Sequence, residues 1–196
     1  MSKVVLIDNG HGKNTKGKCS PDKRLMEWQW TRWIAAMVCE KLMKKGIDAR
    51  LLVPEDTDIS LAERVRRTNW VCKQYGASNV ALVSIHVNAA GSDGKWHDAR
   101  GFSVWVAKTC STASKKLAKL MYDEAEKRNL KGNRWVPAER YWQANFAMVK
   151  NTSCPAVLTE NLFQDNHEDV DFLLSDAGKQ AIVDLHIAAI LKYLQA

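Results

Sequence analysis

Residues 4–12 have the sequence VVLIDNGHG, and the interpretation of the whole chain starts from this stretch. Four β-branched or long apolar residues in a row are typical of a strand buried on both faces. The glycines on either side of His11 predict a sharp turn at the carboxyl end of that strand. Ligands bind at this edge of an open α/β sheet, so His11 is a candidate functional residue.

Predicted strands and helices alternate along the rest of the chain, which indicates an α/β fold. We expect one domain over residues 1–196, with a mostly parallel, mixed, roughly six-stranded sheet flanked by helices in a phosphorylase/hydrolase-like arrangement. Segment 130–145 has no period and is predicted to be an irregular loop. The further predicted strands are 47–53, 80–86, 101–107, 146–149 and 155–159, and the predicted helices are 23–45, 60–75, 111–129 and 167–194, with Asp176 capping the last helix.

Composition narrows the class of protein. The chain has 196 residues, of which 46% are hydrophobic and 26% are charged, a size that suits one core. A net charge of +7 favours anionic surroundings, but the basic groups fall on predicted outer faces, and no nucleic-acid partner is expected. Without a run of 18 apolar residues or a signal-peptide pattern, we expect no membrane insertion and synthesis in the cytoplasm. The five cysteines have no disulfide or zinc-finger spacing.

Four titratable side chains are predicted to converge at one sheet edge. Three apolar strands end in or lead into His11, His86 and Glu160, and Glu27 lies on the apolar stripe of the first helix. Singly, each residue has a structural explanation, such as a hydrogen-bonded histidine or a first-turn acid. Together, two histidines and one carboxylate form the ligand set of an open catalytic zinc site, and the other carboxylate can act as general base and acid.

A phosphate-binding loop is the competing interpretation of the first turn. Residues 12–18 match the spacing G-x-x-x-x-G-K that follows a strand in such loops. Cys19 stands where the motif needs a magnesium-binding hydroxyl, and Ser20 and Pro21 follow where a helix should already run. A nucleotide-binding enzyme therefore stays a minor alternative.

Several motifs together resemble a known family. They are DNGHG at 8–12, Glu27, SIHVNA at 84–89 and PAVLTENLFQDN at 155–166. In this order they resemble the zinc-dependent N-acetylmuramoyl-L-alanine amidases of the Amidase_3 type over nearly the whole chain. The resemblance implies Zn²⁺ held by His11, Glu27 and His86, with Glu160 as the catalytic acid/base. The sequence departs from the family pattern at Asn9, Lys13 and Asn161, and we expect these residues at the rim of the site.

The function implied by this resemblance is hydrolysis of the amide bond between N-acetylmuramic acid and L-alanine in peptidoglycan. We expect a monomeric catalytic domain without a separate cell-wall-binding domain, as in a phage-type lysin that reaches the wall after release at lysis. A catalytically inactive, peptidoglycan-binding relative is the alternative function.

Other polar residues near the predicted edge have less defined roles. Asp8 and Asn88 are candidates for orienting the metal ligands or contacting substrate, and stabilisation of their turns is an equally good interpretation. His97 lies in the loop after His86 and could reach the site. His167 is predicted at a helix start, and His186 at the edge of the core.

Overall fold

A six-stranded sheet with helices on both faces forms the centre of the computed structural model, which describes residues 3–195. The strands are β1 (Val4–Asn9), β2 (Asp48–Leu51), β3 (Val80–Asn88), β4 (Ser103–Val106), β5 (Trp142–Gln143) and β6 (Ala156–Phe163). The helices are α1 (Glu27–Met43), α2 (Leu61–Tyr75), α3 (Thr112–Lys127), α4 (Ala147–Lys150), α5 (His167–Leu174) and α6 (Asp176–Gln195), with a 3₁₀ turn at Ala77–Asn79.

The sheet has the order β2-β1-β3-β6-β4-β5 and is mixed. Strands β2, β1, β3 and β6 run parallel to one another, and β4 is antiparallel to β6. The expected fold class is therefore confirmed. Because β1, β3 and β6 are parallel neighbours, their carboxyl ends lie side by side at one edge. None of the helices within residues 3–195 is long and apolar enough to cross a membrane.

Apolar residues of β1 enter two separate cores, as its unbroken apolar run predicts. Val5 and Ile7 pack in the larger core with residues of α1, α3, α5 and α6. Val4 and Leu6 pack on the opposite face with residues of α2 and α4. Side chains of a strand alternate between faces, so only a strand covered on both sides needs four consecutive apolar residues. This double burial fixes the strand that carries the His11 turn.

Two helix starts differ from the prediction. Helix α1 begins at Glu27 and not at Lys23, because Lys23 has φ of +62° and a β-bridge joins Cys19 to Met26. The last helix is capped by Ser175 rather than Asp176: Ser175 Oγ accepts a hydrogen bond from the amide of Gly178 at 2.9 Å. The tail is helical from His167 as predicted, apart from the break at Ser175.

The predicted strand at 146–149 is wrong, since Ala147–Lys150 forms the helix α4. Met148 and Val149 are both buried there against the second core, which adjacent residues of one helical turn can achieve. Four apolar residues are too few for periodicity to separate the two structures. The segment 130–145 is irregular as expected except for β5, whose two residues pair with β4.

Candidate metal and catalytic site

The turn after β1 is held by contacts that exclude larger residues. A Cβ atom on Gly10 would lie 2.3 Å from Cε1 of His86, and one on Gly12 would lie 2.0 Å from the amide nitrogen of Asp58. Between them His11 adopts φ of +60°, a conformation that L residues seldom take. Its carbonyl accepts hydrogen bonds from Arg32 at 3.0 Å and Arg64 at 3.1 Å. The close approaches at both glycines and the two arginine hydrogen bonds thus fix the turn.

The structure brings His11, Glu27 and His86 together at this edge. Nε2 of His11 lies 3.5 Å from Oε2 of Glu27, and Nδ1 of His86 lies 3.1 Å from Oε1 of Glu27. One ligand atom from each residue lies within 4.8 Å of the other two. The two imidazole rings meet edge to face, with centroids 5.0 Å apart. The sequence-based prediction that these three side chains converge is confirmed as geometry.

A metal ion fits the donor set. Glu27 is 1% exposed, and its Oε1 accepts a hydrogen bond from the amide of Val87 at 2.9 Å. Its Oε2 is buried and has no hydrogen-bond partner among residues 3–195. An unpaired buried carboxylate oxygen is costly unless something else, such as a cation, satisfies it. Ligands of a tetrahedral zinc ion lie roughly 3.3 Å apart, close to the 3.5 Å and 3.1 Å that separate the two histidine nitrogens from the Glu27 oxygens.

The electrostatics of His11 and Glu27 favour ligand binding. Burial lowers the pKa of His86, but the hydrogen bond and the charge of Glu27 outweigh burial and raise that pKa, so His86 must release its proton when a metal ion binds. Burial lowers the pKa of His11 to about 4, so its imidazole is neutral near pH 7, as a metal ligand must be. Burial alone would raise the pKa of Glu27, but the hydrogen bond from His86 and the positive charges that His86 and His11 carry when protonated bring that pKa below its ordinary value. Glu27 therefore carries its negative charge inside the protein.

Glu160 lies directly beside this cluster. It is the register partner of His86 between β6 and β3, so the two side chains leave the sheet at the same level. Its Oε2 is buried without a hydrogen-bond partner in the described chain. Burial raises the pKa of Glu160 to about 7, and the charge of Glu27 adds to this, whereas His86, Lys18 and Arg134 act in the opposite direction. A carboxyl group with this pKa can both accept and release a proton near neutrality.

Asp8 stabilises the His11 turn through a buried ion pair with Arg64. It is 1% exposed, and its carboxylate accepts hydrogen bonds from Arg64 at 2.6 Å and from the hydroxyl of Ser84. Arg64 also donates to the carbonyls of Asn9 and His11. The Asp8–Arg64 pair thus holds the backbone that presents His11, as either orientation of a metal ligand or stabilisation of the turn requires.

The remaining polar residues singled out from the sequence occupy other places. The side chain of Asn88 accepts a hydrogen bond from the amide of Ala89 and so stabilises its own turn. His97 pairs with Asp93 at 2.9 Å and is not part of the three-residue cluster. His186 is fully buried, and its ring nitrogens contact Ile182 and Thr159, as the core-edge interpretation required.

His167 begins α5 as predicted, and its ring stacks on Trp96 with a centroid distance of 3.6 Å.

Two of the residues at which the chain departs from the family pattern are buried and not at the rim of the site, contrary to expectation. Asn9 is 1% exposed and Asn161 is 0% exposed. Asn161 donates a hydrogen bond to the carbonyl of His86 at 2.9 Å, so it contacts the backbone of a metal-ligand candidate.

Sequence reasoning missed two arginines of the site. Arg64 lies on the buried face of α2 with Thr68 and Val71, and a charged residue at core spacing was the available signal. Arg134 lies in segment 130–145, and its Nη1 donates to Oγ of Ser103 at 3.1 Å. No periodic pattern marks Arg134, so its position depends on the tertiary fold alone.

The phosphate-binding loop is not supported by the structure. A loop of that type leads from a strand directly into a helix. Here Gly12 donates its amide hydrogen bond to Thr15, Cys19 bridges to Met26, and α1 begins only at Glu27. The spacing match at 12–18 is therefore coincidental.

A family model matches almost the entire chain. The model described as N-acetylmuramoyl-L-alanine amidase (Amidase_3) covers residues 5–192. An endolysin of Bacillus phage SPP1 is 27% identical over 99% of this chain and 67% of its own length. The N-acetylmuramoyl-L-alanine amidase CwlM of Bacillus licheniformis is 28% identical over 93% of this chain and 65% of its own length.

Solved structures agree with these matches. The crystal structure of an N-acetylmuramoyl-L-alanine amidase from Clostridium difficile 630 superimposes with a TM-score of 0.82 at 26% identity. The superposition covers 100% of this chain and 98% of that one. The family resemblance and the fold that it implied are both confirmed.

Proposed function

Since the chain belongs to the N-acetylmuramoyl-L-alanine amidase family, we propose that it hydrolyses the amide bond between N-acetylmuramic acid and L-alanine in peptidoglycan, with Zn²⁺ as cofactor. The chain spans 67% and 65% of the length of the two curated relatives described above, so the proposal concerns the reaction at this site. One of them is named an endolysin, which supports the bacterial cell wall as the place of action.

His11, Glu27 and His86 would hold the metal ion. Two imidazoles and one carboxylate leave a coordination position open, as hydrolytic zinc sites require. When bound, Zn²⁺ supplies a positive charge that polarises the scissile carbonyl and lowers the pKa of a water molecule. The rigid turn at Gly10 and Gly12 and the hydrogen bond from Val87 to Glu27 orient the three ligands beforehand.

Glu160 would move the proton. As general base its carboxylate takes a proton from the attacking water, and as general acid it delivers that proton to the nitrogen of the departing L-alanine. The pKa of about 7 suits both halves of this task, because neither protonation state is strongly favoured at neutral pH. Its Oε2 has no hydrogen-bond partner in the part of the chain that the structure describes, which leaves an oxygen available for the proton.

The observation that carries the proposal is the register of Glu160 with His86 beside the three-residue cluster. Four titratable groups from four separate segments meet at one edge, and each has the burial that its role needs. An inactive wall-binding relative would have no need for a buried acid with a raised pKa next to the ligand set.

Replacing Glu160 with Gln tests the proposal. The substitution keeps the size of the side chain and removes its proton-transfer capacity, so we expect a rate loss of about 10²- to 10⁴-fold with zinc content unchanged. The matched control is Glu139→Gln, an exposed glutamate of segment 130–145, which should retain full activity.

The assay is mass spectrometry of purified peptidoglycan digested by each variant, together with elemental analysis of bound metal. Release of peptides with a free L-alanine amino group supports the amidase reaction, because a glycosidase or an endopeptidase leaves different fragments. The proposal fails if Glu160→Gln cleaves at the wild-type rate, or if active protein contains no zinc.

A further inference from the structure

On the side of Glu160 that faces away from the metal ligands, further residues are held in fixed positions by the sheet. Glu160 pairs with His86 on one neighbouring strand and with Ser103 on the other. Register partners project from the same face of a sheet, and adjacent strands lie roughly 4.8 Å apart. The three residues therefore form a row across β3, β6 and β4, with the acid/base candidate in the middle.

Arg134 stands at the end of this row. Its Nη1 donates a hydrogen bond to Oγ of Ser103, and its guanidinium lies over the rings of Trp142 at 5.2 Å and Phe163 at 5.3 Å. Two aromatic contacts and one hydrogen bond hold the planar group in one orientation. The guanidinium of Arg134 is therefore held in a fixed position and is not a mobile surface charge.

Close contacts and a hydrogen bond also hold the backbone around Arg134 in place. A Cβ atom on Gly132 would lie 2.2 Å from the carbonyl oxygen of Arg100, and one on Gly101 would lie 2.2 Å from that of Lys131. Phe102 donates its amide hydrogen bond to the carbonyl of Leu130 at 2.7 Å. Segment 130–134 is thus fixed against the chain that enters β4.

The charge of Arg134 is not neutralised by an ion pair. Among residues 3–195, its side chain donates to Ser103 and forms no salt bridge, although the charge of Glu160 acts on it from farther away. An arginine has five N–H donors, so most of them stay available. By contrast, Arg140 of the same segment is paired with Asp123 and Glu126. A half-buried guanidinium with unused N–H donors is suited to bind an anion, and a guanidinium can bind a carboxylate through two parallel hydrogen bonds.

We propose that Arg134 binds a carboxylate group of the peptide that leaves during the reaction. This rests on the proposed function. If Glu160 protonates the departing nitrogen, that nitrogen and the peptide it heads lie on the Glu160 side of the site, and Arg134 is the next charged group along the row. Arg134 then determines specificity for peptides with a free carboxylate near the scissile bond.

Two substrates that differ only in that carboxylate test the inference. They are N-acetylmuramoyl-L-alanyl-D-glutamate with its γ-carboxylate blocked as an amide, and the same compound with the α-carboxylate amidated as well. A charged hydrogen bond of this kind corresponds to roughly 10- to 100-fold in kcat/KM, expressed mainly in KM. We expect wild-type protein to prefer the free carboxylate by this factor and Arg134→Met to lose the preference, whatever change the lost charge beside Glu160 makes to the rate common to both compounds.

Control variants separate binding from folding. Methionine keeps an apolar stem between the two rings, and Arg134→Lys keeps the charge without the planar fork, so it should retain part of the preference. Arg140→Met, from the same segment, should leave the preference unchanged. Thermal unfolding of all variants checks that the fold is intact.

Equal losses on both substrates would overturn the inference, because Arg134 would then act through Glu160 or through the fold. An unchanged preference in Arg134→Met would overturn it as well. A second readout is independent of cleavage: NMR titration of metal-free protein with L-alanyl-D-glutamate should show binding that Arg134→Met weakens. If wild-type protein cleaves neither substrate, the proposed function fails, and the titration still decides whether Arg134 binds the carboxylate.

Discussion

Replacing Arg64 with Met tests whether the His11 turn depends on the buried ion pair beneath it. Arg64 is 2% exposed and donates hydrogen bonds to Asp8, Asp58 and three backbone carbonyls, those of Asn9, His11 and Ile59. Methionine fills much of the same space but can donate none of them. The substitution therefore leaves the carboxylate of Asp8 charged and unpaired inside the protein.

The magnitude follows from burial. Removing one partner of a buried ion pair costs about 3–5 kcal/mol of unfolding free energy, because the remaining charge stays desolvated. The hydroxyl of Ser84 still bonds to Asp8, which favours the lower end of that range. The carbonyl of His11 also loses a donor, so we expect weaker metal binding by about 10- to 100-fold, the usual effect of losing a group that orients a ligand.

Urea unfolding of metal-free protein measures the first effect, and a metal titration measures the second. The double variant Arg64→Met with Asp8→Asn removes both charges and should be more stable than the sum of the single losses by about 1–3 kcal/mol. Arg66→Met is the matched control on the same helix: its side chain is 67% exposed and pairs with Glu63, so its cost should stay below about 1 kcal/mol. A loss below about 1 kcal/mol in Arg64→Met, or strict additivity in the double variant, would refute the reasoning.

Two further perturbations address the close packing and the buried histidine. Gly10→Ala forces a Cβ atom into the ring of His86, so we expect at least a tenfold loss of zinc affinity in a metal titration, and wild-type affinity would contradict the contact. Burial lowers the pKa of His186 to about 4, whereas the unfolded chain has a value near 6.5, so the unfolded state binds more protons between these values and stability falls as the pH drops from 6.5 to 4. The stability advantage of wild-type protein over His186→Gln in urea should therefore narrow by about 3 kcal/mol between pH 7 and pH 4, and a constant difference would show that His186 is not buried neutral.

The fold was predictable where one local pattern had one physical cause. The apolar run before His11 required burial on both faces, and the run before His86 required the same, so two central strands followed from periodicity alone. Their parallel alignment then placed both histidines at one edge. The convergence of Glu160 and Glu27 followed from the same rule, because the edge receives strand ends and helix starts together.

Local patterns failed where the tertiary structure chose between equal alternatives. Met148 and Val149 are apolar neighbours that a strand or a helical turn could bury, and the second core selected the helix. Lys23 follows a proline and an aspartate that resemble a helix start, but the bridge between Cys19 and Met26 delays the helix to Glu27. Without that delay Glu27 would not be in the first turn, where its carboxylate meets Val87 and His86.

The direction of β4 explains why the arginine side of the site could not be found by the same reasoning. The rule that ligands bind at the carboxyl ends of parallel strands does not extend to β4, because β4 is antiparallel to β6. Its amino end, Ser103, therefore lies beside Glu160, and the segments that reach this edge are those that precede and pack against that end. Gly101 and Gly132 allow the two backbones to approach closely enough for Arg134 to reach Ser103. In a mixed sheet, side chains at the starts of antiparallel strands thus belong to the candidate set for a site as much as those at the ends of parallel ones.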